Sequence, residues 1–174
     1  MGKLTALERT GDVRMEAEFE TYSVLFANET QAGVHYAMPV RNMLYDALEY
    51  VKQIQDKEKQ HKERGDKLTG DEFLSGMTKE ERLKPVVTTI LYTGDEWDGT
   101  ESLHELLEID DSDERTEELK RYIPEYRVNL IHAGKIEDAG KFRTCLQHIF
   151  NMLKYRKDKT ELKNYIEKHK IEIS

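Results

Sequence analysis

The 174-residue chain has a single cysteine, no long hydrophobic run and no glycine-rich phosphate loop. Each absence excludes something. One thiol, Cys145, cannot close an internal disulfide, which fits a reducing compartment and predicts a cytoplasmic location. Its neighbours place it on the apolar side of a predicted helix, as a small core residue. No apolar stretch approaches the roughly 20 residues of a membrane span, so no membrane association is expected. Glu8, Arg9 and Asp12 interrupt the only mildly apolar N-terminal stretch, and no signal-peptide pattern is present. There is no phosphate-cradling glycine motif and no nucleophile elbow. The histidines, among them His35, His104, His132 and His148, show no ligand spacing with one another or with cysteine, which argues against zinc. Internal repeats and Gly/Ser- or Pro-rich linkers are also lacking. The length fits one domain over residues 1–174, with 135–174 as a C-terminal helical part.

What is abundant is charge. Charged residues make up 36% of the chain and apolar ones 37%, predicting a modest core surrounded by solvated segments. The net charge of −8 opposes strong non-specific binding to DNA. It is unevenly spread. Residues 110–118 hold six acids against Arg115 alone and are expected to be exposed. The tail over 154–170 leans basic, through Arg156, Lys157, Lys159, Lys163 and Lys168, and reads as a solvated helix face.

Residues 11–18 alternate, with Val13, Met15 and Ala17 opposite Asp12, Arg14, Glu16 and Glu18. This predicts a strand with one wet face, paired in a hairpin with a second strand over 21–31. A helix then starts at Pro39, where a missing N–H costs nothing. Val40, Met43, Leu44, Ala47, Leu48, Val51 and Ile54 form an apolar stripe expected to pack on the sheet. Residues 56–67 read as an extension of that helix or as a loop, and 71–74 and 78–83 as short helical pieces. The β-branched run 85–92 predicts a strand buried on both faces. Residues 93–99 form a loop, with Trp97 anchoring it and Asp95 and Asp98 as turn residues. Ser102 and Glu105 suggest a capping box for a short helix over 103–107. A strand follows over 126–131. Phe142, Cys145, Leu146, Ile149, Phe150 and Leu153 mark a long helix, and Leu162, Tyr165 and Ile166 a last one. The order β–β–α–β–α–β–α–α predicts an α/β fold with a mixed sheet covered by helices.

One constellation points to chemistry. Asp12 lies on the wet face of the first strand, and Glu29 and Gln31 share a face near the end of the second. A formed hairpin brings Asp12 across from them. Two converging carboxylates can hold a hard cation such as Mg²⁺ through oxygen. Arg41, one turn from Tyr45 on the following helix, is placed to reach a DNA phosphate or to pair with Asp46 or Glu49. Tyr50 reads as a packing residue.

An acid on one strand, then Glu-x-Gln on the next, then a helix, resembles the PD-(D/E)XK nuclease core, in which Gln replaces the usual Lys in some families. Residues 28–31 (NETQ) and 35–50 (HYAMPVRNMLYDALEY) carry this resemblance into a particular family. So do residues 84–99 (KPVVTTILYTGDEWDG) and 102–107 (SLHELL). Together they resemble the bacterial recombination-promoting nuclease and transposase family over roughly residues 8–135. The resemblance implies a restriction-endonuclease-like mixed central sheet flanked by helices. It implies a Mg²⁺- or Mn²⁺-dependent endonuclease that hydrolyses phosphodiester bonds in DNA recombination. Asp12 and Glu29 would be metal-binding and catalytic acids. Gln31 would stand for the lysine that orients the nucleophile or the scissile phosphate. An amide hydrogen-bonds but does not offset charge. Members of the family usually carry a longer N-terminal region with a helix, which the stretch before Asp12 is too short to supply. DNA is the implied partner, and a double-strand cut by two sites leaves a homodimer open. The alternative expectation is a nuclease-fold remnant or interaction module that does not cut.

Overall fold

The computed structural model of the chain describes residues 3–9, 12–110, 112, 113, 115–142 and 146–170, with backbone alone for 3–9 and 12–14. Its five strands form one mixed sheet in the order β1-β2-β3-β4-β5. These are β1 (Lys3–Arg9), β2 (Asp12–Glu18), β3 (Ser23–Gln31), β4 (Val86–Tyr92) and β5 (Asn129–His132). The first three make an antiparallel meander, while β3, β4 and β5 run parallel. Parallel neighbours need a long crossover. Here β3 reaches β4 through α1 (Met38–Arg64) and α2 (Gly70–Ser75), and β4 reaches β5 through a segment containing α3 (Arg115–Lys120). After the sheet come α4 (Leu146–Tyr155) and α5 (Lys159–Lys168).

Adjacent residues of β4 point to opposite faces, and each face has its own core. On one, Ile90 packs with Met38 and Val128, flanked by Trp97 and Leu130. On the other, Leu91 packs against Ala133, Ala139 and Phe150, with Ile136, Phe142 and Leu153 around them. Trp97 does anchor its loop, with its ring edge-on to Tyr92 at 5.1 Å. Asp95 does more than turn the chain, since it pairs with Arg156 and Lys157 of the basic tail. Cys145 lies outside the described residues.

Several sequence expectations need correction. A strand, β1, precedes the one expected to be first. Of the two readings for residues 56–67 the helical one holds as far as Arg64: α1 runs on to the left-handed Gly65 (φ 69°), with Lys57 and His61 of its charged face bonded to Glu81 and Asp66. No helix forms over 78–83, where Glu81 instead accepts the Thr78 N–H at 2.8 Å and holds a turn. The helix expected over 103–107 is a single 3₁₀ turn, His104–Leu106. The last strand is displaced to Asn129–His132, because Arg127 is taken up in a bridge with Ser102. Only one face of β4 is fully buried, through Thr88, Ile90 and Tyr92. The acidic run is in part structured, with Thr116 buried and Asp113 and Asp110 bonded to nearby N–H groups.

The largest correction concerns α1. Its apolar stripe does not pack on the sheet: Val40, Met43, Leu44, Leu48 and Val51 are all exposed, Leu48 by 54%. The sheet side of α1 is polar below its first turn. Asp46 accepts from the Thr88 hydroxyl and the Tyr126 phenol. The Tyr50 hydroxyl accepts the Val86 N–H at 3.1 Å. Gln53 exchanges two bonds with the Lys84 backbone, at 2.8 and 3.1 Å. The chain entering β4 has backbone groups that need partners, and Tyr50 and Gln53, three residues apart along one helix face, supply them. Periodicity locates an apolar stripe but does not say which way the helix is turned.

This orientation predicts that Leu48→Ala changes stability by no more than about 0.5 kcal/mol. Ile90→Ala, at a site with 0% exposure, should cost about 3 kcal/mol by leaving a cavity. Urea unfolding of both variants checks this. Equal costs would mean that the stripe is buried in solution.

Candidate functional site

The site lies where β3 ends and α1 begins. Glu29 is 5% exposed, under the first turns of α1. Its Oε1 accepts from Gln31 Nε2 at 2.5 Å and from Arg41 Nη2 at 2.5 Å. Its Oε2 is buried and has no hydrogen-bond partner among the described residues. The sharing of a face by residues two apart, expected from the strand period, is thus realised for Glu29 and Gln31.

Asp12 begins β2, opposite Arg9 of β1. The β2–β3 register runs from Glu18 opposite Ser23 to Val13 opposite Asn28. The ladder stops one residue short of Asp12 and Glu29, which the same register, extended by a step, would set side by side. The side chain of Asp12 is outside the described residues.

Arg41 pairs with Glu29, and not with Asp46. Asp46 serves Thr88 and Tyr126, and Glu49 lies near Lys52 at 3.8 Å. Arg41 instead reaches across to β3. Its guanidinium carbon sits 5.5 Å from the centre of the Tyr45 ring, and its Nε is buried without a partner among the described residues. The ion pair is asymmetric: the Arg41 side chain is 33% exposed and that of Glu29 7%. Arg41 comes from α1 because Pro39 sets the first turn, and an exposed Val40 leaves the next position facing the sheet edge.

Electrostatically, one buried negative charge meets one positive charge that is one-third exposed. Among the described residues one carboxylate oxygen meets no donor, which leaves it for another donor or for a cation. Such an oxygen suits a hard divalent ion. Among the described residues, no group of three or more His, Cys, Asp or Glu side chains could hold a metal ion.

Sequence reasoning missed a second polar centre, at the far end of α1. His61 is buried, with Nδ1 2.7 Å from Asp66 and Nε2 3.0 Å from Glu81. Glu81 also accepts from Lys57 Nζ at 3.2 Å. A signal existed: Asp46, Tyr50, Gln53, Lys57 and His61 recur at steps of four and three along one face. The bonds to Asp66, then to Glu81, raise the His61 pKa above its ordinary 6.5. The Thr78 N–H, then His61 and Lys57, hold Glu81 down at about 2.

A raised imidazole contributes its full stability below pH 6.5 and loses it as pH climbs through the folded value. A depressed carboxylate contributes above its ordinary 4.5 and loses it as pH falls toward about 2. The His61–Glu81 contact is therefore strongest between about pH 4.5 and 6.5. Melting temperatures across pH should fall on the alkaline side in the wild type. His61→Gln should flatten that alkaline limb; an unchanged limb would remove His61 as its cause.

No helix among the described residues is long and apolar enough to cross a membrane. No family model, curated protein or solved structure matches the chain.

Proposed function

We propose that the chain is a Mg²⁺- or Mn²⁺-dependent DNA endonuclease of PD-(D/E)XK type, hydrolysing phosphodiester bonds in DNA recombination. One observation carries this reading: Glu29 is a strand carboxylate buried to 5% exposure with one oxygen free of any described donor. Leaving a buried carboxylate oxygen unpartnered is costly, and a cation bound there would satisfy it. The oxygen chemistry therefore fits the group that the family resemblance implies. Glu29 and Asp12 would hold the ion, which when bound supplies an activated water and charge stabilisation on phosphate. Gln31 orients the Glu29 carboxylate through its amide. Its neighbourhood to that carboxylate also suits it to hydrogen-bond water or phosphate. Arg41 is the residue for a DNA phosphate, because a guanidinium fork matches phosphate oxygens. Two copies acting together would cut both strands.

A second reading is favoured by a separate observation. Arg41 already neutralises Glu29, and Gln31 engages the same oxygen. An arrangement of this kind also suits a non-cutting nuclease fold that acts as an interaction module.

Plasmid nicking separates the two. The nuclease reading expects relaxation of supercoiled DNA in Mg²⁺ or Mn²⁺, abolished by Glu29→Ala. Nicking that survives Glu29→Ala, or none from the wild type, would leave the second reading.

A further inference from the structure

The Glu29–Arg41 pair has one fixed and one movable member. Glu29 is held within the β3–β4 ladder, opposite Ile90, one residue past the last β2–β3 pair. Arg41 extends from a helix, is one-third exposed, and rests its guanidinium by the Tyr45 ring. Its Nε is buried and has no partner among the described residues, so the contact with Glu29 does not use the whole guanidinium fork. A carboxylate that accepted a divalent cation while keeping Arg41 in contact would gather like charges within a few ångströms in a site with little water. Arg41 is the partner that can leave, and its guanidinium then needs an anion.

Resting on the nuclease reading above, we infer that Arg41 is the resident counter-ion of Glu29 and moves to a DNA backbone phosphate when Glu29 takes up a divalent cation. Arg41 thereby couples the binding of cation and DNA at this site. In the absence of both, it keeps a buried carboxylate from standing uncompensated. With both present, it exchanges one oxyanion for another of the same charge. The unsatisfied Nε gains a role in that exchange, because a phosphate accepts two parallel N–H bonds from one guanidinium. Coupling of this sort is reciprocal, so DNA must tighten cation binding by the same factor as the cation tightens DNA binding.

The test is Mn²⁺ titration calorimetry on the full chain, with and without a phosphorothioate DNA duplex that resists cleavage. The wild type should bind Mn²⁺ about 5-fold or more tightly with the duplex present. Arg41→Met keeps a stem over Tyr45 but removes the competing charge. It should bind Mn²⁺ about 5-fold tighter than wild type without DNA, and gain nothing from the duplex. Should Arg41→Met not fold, Arg41→Lys serves: a lysine makes a point contact in place of a fork, so the duplex effect should shrink without vanishing. Equal Mn²⁺ affinity in wild type and variant, or an equal duplex effect in both, overturns the coupling and leaves the metal site standing. Absence of Mn²⁺ binding by the wild type, or its persistence in Glu29→Gln, overturns the coupling together with the nuclease reading.

Discussion

Arg41→Ala is expected to destabilise the protein by about 2–3 kcal/mol, and by more than Glu29→Gln does. The two sides of the ion pair are not equivalent. Removing Arg41 leaves the Glu29 carboxylate, 7% exposed, without its counter-charge. Breaking a buried pair from one side costs roughly 3–5 kcal/mol, and the partial exposure of Arg41 brings the figure down. Gln31 remains at 2.5 Å, but a neutral amide offsets only part of the charge. In Glu29→Gln the buried charge itself disappears and Arg41 can turn to solvent. The loss is then a hydrogen bond, about 1 kcal/mol. Urea unfolding of both variants at neutral pH and low salt gives the order directly. A smaller cost for Arg41→Ala would mean that another cation balances Glu29.

The second large effect is expected at Asp46. Its carboxylate accepts from Thr88 on β4 and from Tyr126 ahead of β5, so one helical side chain ties two parts of the sheet layer to α1. Thr88 is buried. Burial, and then the bond to Asp46, push the Tyr126 phenol above its usual pKa. Asp46→Ala strands both hydroxyls and should cost about 3 kcal/mol, since bonds to a charged acceptor are worth about 1.5–3 kcal/mol each. Tyr126→Phe removes one bond and leaves Asp46 with the other, for about 1.5 kcal/mol. The double variant should cost less than the sum, because the two positions share one interaction. Strict additivity would show that Asp46 and Tyr126 do not touch in solution.

Neither effect is visible in a one-dimensional reading, and the reason is instructive. Asp46 stands in a helix whose apolar stripe invites the reader to place every polar residue in water. Its turn toward the sheet follows from the rotation of α1, which is set by the bonds that the entry to β4 requires. The same rotation turns Leu44, Leu48 and Val51 outward. His61 and Glu81 escaped notice because they are 20 residues apart and meet only when the segment after α1 folds back. The Glu29–Gln31 contact, by contrast, was legible from a spacing of two on a strand.

From sequence alone came what local periodicity and turn chemistry determine. Alternation located β2, richness in apolar and aromatic residues located β3, the β-branched run located β4, three-and-four spacing located α1, and the order of strands and helices indicated an α/β class with a mixed sheet. Those patterns act over a few residues, so they are read without knowing the neighbours. Tertiary structure alone decided which side of α1 meets the sheet, that β1 extends the sheet, and that Arg41 crosses to Glu29 instead of pairing along its own helix. Each of these depends on groups far apart in the chain. What selects among the possible pairings is the cost of leaving buried charges and backbone groups without partners, and that cost is set only once the layers have come together.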